Sequence, residues 1–261
     1  ETRRLLKQAI ASGVCSEDVL MATLEVVGSQ DRSADDLMKL VLEQIPSNNS
    51  SAAVAVALLK APNCIAAASR VKRGGDECDA KTVALSLYEE YFAGIDLPDL
   101  DAMQLVVDAA VQNKHNLTLE NLLAVADKTR VISMLKRYGL QRKLEDARTV
   151  FKACQDKTTG LSNAFLEACV ECCDTAAARE TIDQASKLGI ADTVSYNTLL
   201  KAYLRAGDFK GAKATMASMR DIGYPPNCVT YNELLDASFS SKSGGGWAVL
   251  DEMQAGGIQP N

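Results

Sequence analysis

A segment near the C-terminal end of the chain repeats itself, and this self-similarity constrains the fold more than any other feature. Residues 193–227 read TVSYNTLLKAYLRAGDFKGAKATMASMRDIGYPPN, and residues 228–261 restart as CVTYNELLDASFSSKSGGGWAVLDEMQAGGIQPN. Val194, Tyr196, Asn197, Leu199, Leu200 and Ala202 recur 35 places later as Val229, Tyr231, Asn232, Leu234, Leu235 and Ala237. A unit this short cannot bury an apolar face alone. It must stack on copies of itself, and a period in this range marks a helical solenoid. Function in such a fold belongs to the inner face, so repeated polar residues become candidate recognition groups.

Each repeat reads as two helices. Tyr196, Leu199, Leu200 and Tyr203 fall at i, i+3, i+4 and i+7, which is one apolar face. Gly207-Asp208 breaks the pattern, and Ala212, Met216 and Met219 form the stripe of a second helix. Gly223 and Pro225-Pro226 end it. The pattern extends upstream: Asn163, Leu166, Ala168, Asp174 and Ala178 match Asn197, Leu200, Ala202, Asp208 and Ala212 at an offset of 34. Residues 128–158 are a weaker, shorter copy, in which Lys136, Tyr138, Leu144, Ala147 and Phe151 match Lys201, Tyr203, Phe209, Ala212 and Met216.

Residues 1–127 read as helical but degenerate, with helices expected near 2–12, 16–28, 33–45, 50–60, 62–72, 79–93, 99–112 and 118–127. The order Leu87, Phe92, Gly94, Pro98, Asp99 resembles a second helix with its exit turn. Hinges are expected at residues 46–51 and 72–76. Sustained two-residue alternation is missing and aromatics are scarce, at 5%, so the whole chain is expected to be all-α.

Charge is uneven. Residues 1–127 carry 11 basic and 19 acidic residues, a net of -8, whereas residues 128–261 carry 17 and 15, a net of +2. The C-terminal half therefore tolerates phosphates better than the N-terminal half. Eight cysteines in an intracellular-looking chain read as reduced thiols. No apolar run reaches the length of a membrane span. The chain starts at Glu1 and stops at a repeat boundary, Pro260-Asn261, so a longer parent protein is expected.

The order Val-x-Tyr-Asn-x-Leu-Leu-x-Ala, Gly-Asp, Ala-x-x-x-Met-x-x-Met and Gly-x-x-Pro-Asn resembles the pentatricopeptide repeat. It lacks the Trp and Leu-Gly that the tetratricopeptide pattern places in its first helix. The resemblance is specific over residues 193–261, good over 159–192 and weak over 128–158. It implies a right-handed α-solenoid of helix-turn-helix repeats, degenerate in its N-terminal half. The repeats would span 128–158, 159–192, 193–227 and 228–261, preceded by a degenerate helical region over 1–127.

The family binds single-stranded RNA, one base per repeat, in mitochondria or chloroplasts. By resemblance, the fifth and last residues of each repeat choose the base. These are Asn163 with Asp192, Asn197 with Asn227, and Asn232 with Asn261, which imply U followed by two pyrimidines. Val194 and Val229, at the second position, would sandwich the base held by Asn197 and Asn227. The preceding site has Gly160 as one wall. Arg205 matches the basic phosphate-facing position, which falls on Glu171 and Ser240 in the flanking repeats. Residues 128–158 carry Ile132 and Thr158 at the reading positions, so that repeat is expected to pack and not to read.

Other features fit simpler roles. The repeated Asn residues can cap helices or hold the inter-repeat turn. Cys169, Cys172 and Cys173 lie near one helix face, but no second ligand pair completes a zinc site. His115, the single histidine, has no nucleophile motif around it. Gly244-Gly245-Gly246 is read as a turn and not a phosphate loop. No catalytic residue, metal or cofactor is expected. Two function classes follow. The first is a non-catalytic reader of pyrimidine-favouring single-stranded RNA in organellar RNA processing or translation. The second is a structural subunit whose solenoid contacts protein partners in an organellar assembly, including a ribosome.

Overall fold

Each repeat begins where a short polar side chain caps a helix and ends where a left-handed residue stops one. The computed structural model describes residues 17–29, 35–45, 52–73, 79–240 and 246–259, together with Arg4, Lys7 and Gln8. Every regular element among the described residues is helical, as expected for an all-α solenoid. They fall into two compact units. One covers Glu1–Arg130 and Ala153–Gln155, the other Val131–Lys152 and Asp156–Asn261.

The first unit holds α1 (Glu17–Ser29), α2 (Asp35–Gln44), α3 (Ala52–Lys60), α4 (Pro62–Arg73), α5 (Ala80–Leu87), α6 (Leu100–Gln112) and α7 (Asn116–Val125). The expected helix over 2–12 and the two expected hinges fall wholly or mostly outside the described residues. The single helix expected over 79–93 is instead α5 followed by a wider π-helical turn, Tyr88–Phe92, which buries both Tyr88 and Phe92. Leu20, Leu24 and Val27 of α1 and Leu58, Leu59, Cys64 and Ala68 of α3 and α4 are core residues. No single described helix is long and apolar enough to cross a membrane. Only α3 and α4 taken together pass on composition, and they are bent by 92°.

The second unit contains α9 (Leu144–Ala153, all but its last residue), α10 (Thr159–Glu171), α11 (Thr175–Lys187), α12 (Thr193–Arg205), α13 (Phe209–Asp221), α14 (Cys228–Ser240) and α15 (Gly246–Ala255). It also takes most of α8 (Lys128–Leu140). Thr158, Asp174, Asp192 and Asp208 cap α10 to α13 by accepting the backbone N–H of Leu161, Ala177, Ser195 and Gly211. Each cap satisfies an otherwise orphaned donor and contributes about 1 kcal/mol. Between α12 and α13 the chain reverses at Gly207, whose φ of 73° needs no Cβ. There the N–H groups of Gly207 and Asp208 close on the carbonyls of Leu204 and Tyr203.

The same turn, with the same pair of backbone bonds, occurs at Arg142, Cys173 and Lys114, each at φ 59° without glycine. The Lys114 turn joins α6, which has the 13-residue length of α10, α12 and α14, to the shorter α7. A repeat-like hairpin is therefore present in the region whose sequence looked degenerate.

Packing is between neighbours. The first helices α10, α12 and α14 lie side by side, and the second helix α11 also packs on the next first helix, α12. Leu200, Ala212 and Met216 of one repeat share a cluster with Tyr231, Leu234, Val249 and Met253 of the next. Arg220 ties the same two repeats together by donating to the Tyr231 hydroxyl and to Glu252, both at 3.0 Å. Phe151 stacks on Phe165 at 4.7 Å between centroids, joining α9 to α10.

Two helix backbones approach closely at Gly139, where an added Cβ would stand 2.7 Å from the Ala168 Cα. Backbone cannot yield as a side chain can. Gly139→Ala is expected to cost about 1–3 kcal/mol by urea denaturation, despite the better helix propensity of alanine. Gly160→Ala, which would meet only the Ile132 Cδ1 at 3.1 Å, is expected to change stability by under about 0.5 kcal/mol.

Candidate nucleic-acid interface

Stacking α10, α12 and α14 side by side sets equivalent residues in columns one helix diameter apart. In the second unit these columns border an open groove of about 560 Å³. Val194 and Val229 stand on its lining with their side chains 54% and 56% exposed, which is unusual for valine and leaves their methyl groups free for an apolar partner. Asn197 and Asn227 line the same groove.

One buried threonine joins those two amides. Asn227 caps α14 by accepting the Thr230 N–H at 3.1 Å, and its own N–H donates to the Thr230 Oγ1 at 3.0 Å. The Thr230 hydroxyl then donates to the Asn197 Oδ1 at 2.7 Å. Both carbonyl oxygens are thereby engaged. The two Nδ2 groups keep their N–H donors for whatever enters the groove.

Ser195 has the corresponding role in the preceding repeat junction. It forms a capping box with Asp192, and its hydroxyl lies 2.5 Å from the Asn163 Oδ1. Here the last residue is a carboxylate, and the Asn163 Nδ2 donates to the Asp192 Oδ1 at 3.3 Å. This pair thus closes on itself more fully than Asn197 and Asn227. Burial pushes the Asp192 carboxyl up, but hydrogen bonds from the Ser195 N–H and hydroxyl and from Asn163 outweigh it and hold it below its ordinary 3.8.

This interlocking of the last residue of one repeat with the third of the next comes with a direct family match. The PPR repeat family matches residues 191–240, the stretch that holds these groups. Over those residues the chain is similar to the pentatricopeptide repeat family. Pentatricopeptide repeat-containing protein 10, chloroplastic, of Zea mays is 39% identical over 74 residues, 27% of this chain and 9% of the maize protein. A chloroplastic pentatricopeptide repeat-containing protein of Arabidopsis thaliana is 36% identical over 74 residues, again 27% of this chain and 9% of its own length. The crystal structure of PPR10 in complex with an 18-nt psaJ RNA element aligns at a TM-score of 0.49 with 16% identity, covering 100% of this chain and 48% of that one. The chain thus spans less than a tenth of the maize and Arabidopsis relatives.

The remaining residues singled out from the pentatricopeptide pattern are less well assembled. Arg205 is engaged by Glu171 at 3.0 Å, so the guanidinium at the basic position faces a carboxylate of the preceding repeat. Lys136 is similarly paired with Glu167 at 3.0 Å. Lys201 and Glu233 complete the charged lining, and the groove with Arg205 at its edge holds basic and acidic groups in equal number. The Asn232 Nδ2 donates to the Cys228 Sγ of its own helix at 3.6 Å, and Asn261 lies outside the described residues. At the weak repeat, Ile132 approaches Gly160 and Thr158 caps α10.

Ser195 and Thr230 are the residues that sequence reasoning passed over. Their signal was available: Asp192-x-x-Ser195 and Asn227-x-x-Thr230 have the spacing of a cap with its third-position partner. Elsewhere, Cys169 is core and burial raises its thiol to about 12, while Cys173 is exposed in a turn. His115 Nδ1 and the Thr118 hydroxyl share one oxygen of Glu89 at 2.8 and 2.6 Å.

A carboxyl held below its ordinary value stabilises the fold at pH above that value, and the contribution is lost as pH falls through the folded value. Asp192→Asn keeps the cap but removes this titration. The stability advantage of the wild type over Asp192→Asn is expected to shrink as pH is lowered from neutral to below 3.8, which urea midpoints across that range would measure.

Proposed function

We propose that this chain binds single-stranded RNA in an organelle and acts by occupancy, without catalysis. The observation that carries the reading is the pair Asn197 and Asn227, which line one groove with two exposed valines and whose amide oxygens are held by Thr230. An unstacked base needs apolar contact on its faces and hydrogen bonds on its edge, and this site offers both. Two neighbouring amides that present donors suit an edge rich in acceptors, such as N3 and O2 of cytosine or O4 of uracil. At Asn163 and Asp192 the carboxylate is an acceptor that would suit the N3–H of uracil. The proposed order is therefore U at residues 159–192 followed by a pyrimidine at 193–227, with a further pyrimidine at Asn232 and Asn261.

The chloroplastic names of the relatives support an organellar setting. Stabilising, processing or translating a transcript are the roles that occupancy alone can perform. The balanced charge of the groove favours modest affinity and leaves room for a second reading, a scaffold whose inner face holds a protein partner.

Fluorescence anisotropy with short RNAs separates these readings. Oligonucleotides containing UCU or UUU are expected to bind better than a purine-only control. Asn197→Ala is expected to weaken the pyrimidine complexes about three- to tenfold. Binding without base preference would reduce the reading to charge, and no binding would favour the scaffold.

Freeing the paired cation gives an independent check. Glu171→Gln releases Arg205 for phosphate. It is expected to raise RNA affinity and to steepen the dependence of log K on log salt by about 0.7, one added phosphate contact on a single strand.

A further inference from the structure

We infer that Thr230 and Ser195 are positioning residues that decide which atoms of each Asn pair face the groove. The inference rests on the RNA-binding reading above and adds a specificity determinant to it. Asn and Gln side chains present either a donor or an acceptor depending on a half-turn of the amide. Such a group reads a base only if something holds its orientation.

The bonds at Thr230 favour one arrangement. The Thr230 backbone N–H can only donate, so the atom of Asn227 that it meets at 3.1 Å is the oxygen. The Asn227 backbone N–H can only donate as well, so the Thr230 Oγ1 accepts it at 3.0 Å. The single hydroxyl proton of Thr230 is then free for the Asn197 Oδ1, at 2.7 Å against 3.2 Å for the Asn227 Oδ1. Thr230 has no exposed surface, so water cannot replace it. The Asn197 oxygen is drawn inward and its Nδ2 is turned outward.

Ser195 is equally buried and repeats the logic. Its Oγ accepts the Asp192 N–H at 3.1 Å, and its hydroxyl proton lies between the Asn163 Oδ1 at 2.5 Å and the Asp192 Oδ1 at 2.8 Å. The Asn163 Nδ2 then meets the Asp192 carboxylate. The identity of the last residue therefore sets what the site presents, and the third-position hydroxyl keeps the fifth residue from turning over. Two repeats with different last residues, Asn227 and Asp192, share this tie, so it belongs to the reading geometry and not to one local sequence.

Thr230→Val removes the hydroxyl while keeping branching and volume, and Thr230→Ser restores it. Side-chain amide resonances of Asn197 in the RNA-free protein report orientation directly. They are expected to match in the wild type and Thr230→Ser, and to move to the shifts of a free amide in Thr230→Val. Anisotropy with RNAs varied at one nucleotide reports the consequence. Thr230→Val is expected to bind within about threefold of the wild type on the preferred RNA. It should lose the preference at the nucleotide read by Asn197 and retain that read by Asn163. Ser195→Ala should show the reverse, and Thr230→Ser should recover the wild-type pattern. Urea denaturation confirms that each variant is folded. Unmoved Asn197 resonances together with intact discrimination in Thr230→Val would overturn the inference and leave RNA binding standing. If the wild type binds no RNA, the functional reading fails on its own, and the amide shifts still decide whether Thr230 orients Asn197.

Discussion

Burial of each hairpin against the next is the constraint on which the second unit depends. Leu200 and Met216 do not complete a core within their own repeat; they do so with Tyr231, Leu234 and Met253 of the following one. This shared cluster brings the first helices to a fixed separation and fixes their rotation about their own axes. Once rotation is set, the second, fifth and last residues of consecutive repeats have no freedom to leave the inner face. A recognition column is thus a by-product of apolar packing.

Capping and the proposed recognition share side chains. Asp192 and Asn227 hold the starts of α12 and α14 through one oxygen, and Asn227 also lines the groove. The fifth residues Asn163 and Asn197 do not cap their own helices; they bond forward to a hydroxyl of the next repeat. Helix stability and amide orientation are coupled through that hydroxyl. A repeat with an Asn at each reading position but no such tie would carry the same letters with a less defined donor pattern.

Charge is arranged with less emphasis than in a strongly basic nucleic-acid binder. Arg205 and Lys136 each meet a glutamate from the adjacent repeat. Exposed pairs of this kind add little stability, on the order of 0–1 kcal/mol, and phosphate can compete for them. Affinity in such a groove would come from base contacts at the valine–asparagine site more than from the backbone.

The amino-acid sequence alone determined the repeat period and the all-α class, and it named Val194, Asn197, Asn227 and Val229, which line one groove. These follow from apolar spacing and from punctuation such as Gly207-Asp208 and Gly223-Tyr224-Pro225-Pro226. It placed helices near 99–112 and 118–127, where α6 and α7 stand, but not the repeat-like turn between them, because the left-handed residue there is Lys114 and not glycine. Tertiary structure alone decided the state of the site. The Thr230 bridge spans 33 residues between Thr230 and Asn197, and the Glu171 pair with Arg205 spans 34. Local pattern names candidate residues, but hydrogen bonds and ion pairs across a helix interface depend on how two helices are packed, and that is a property of the assembled stack.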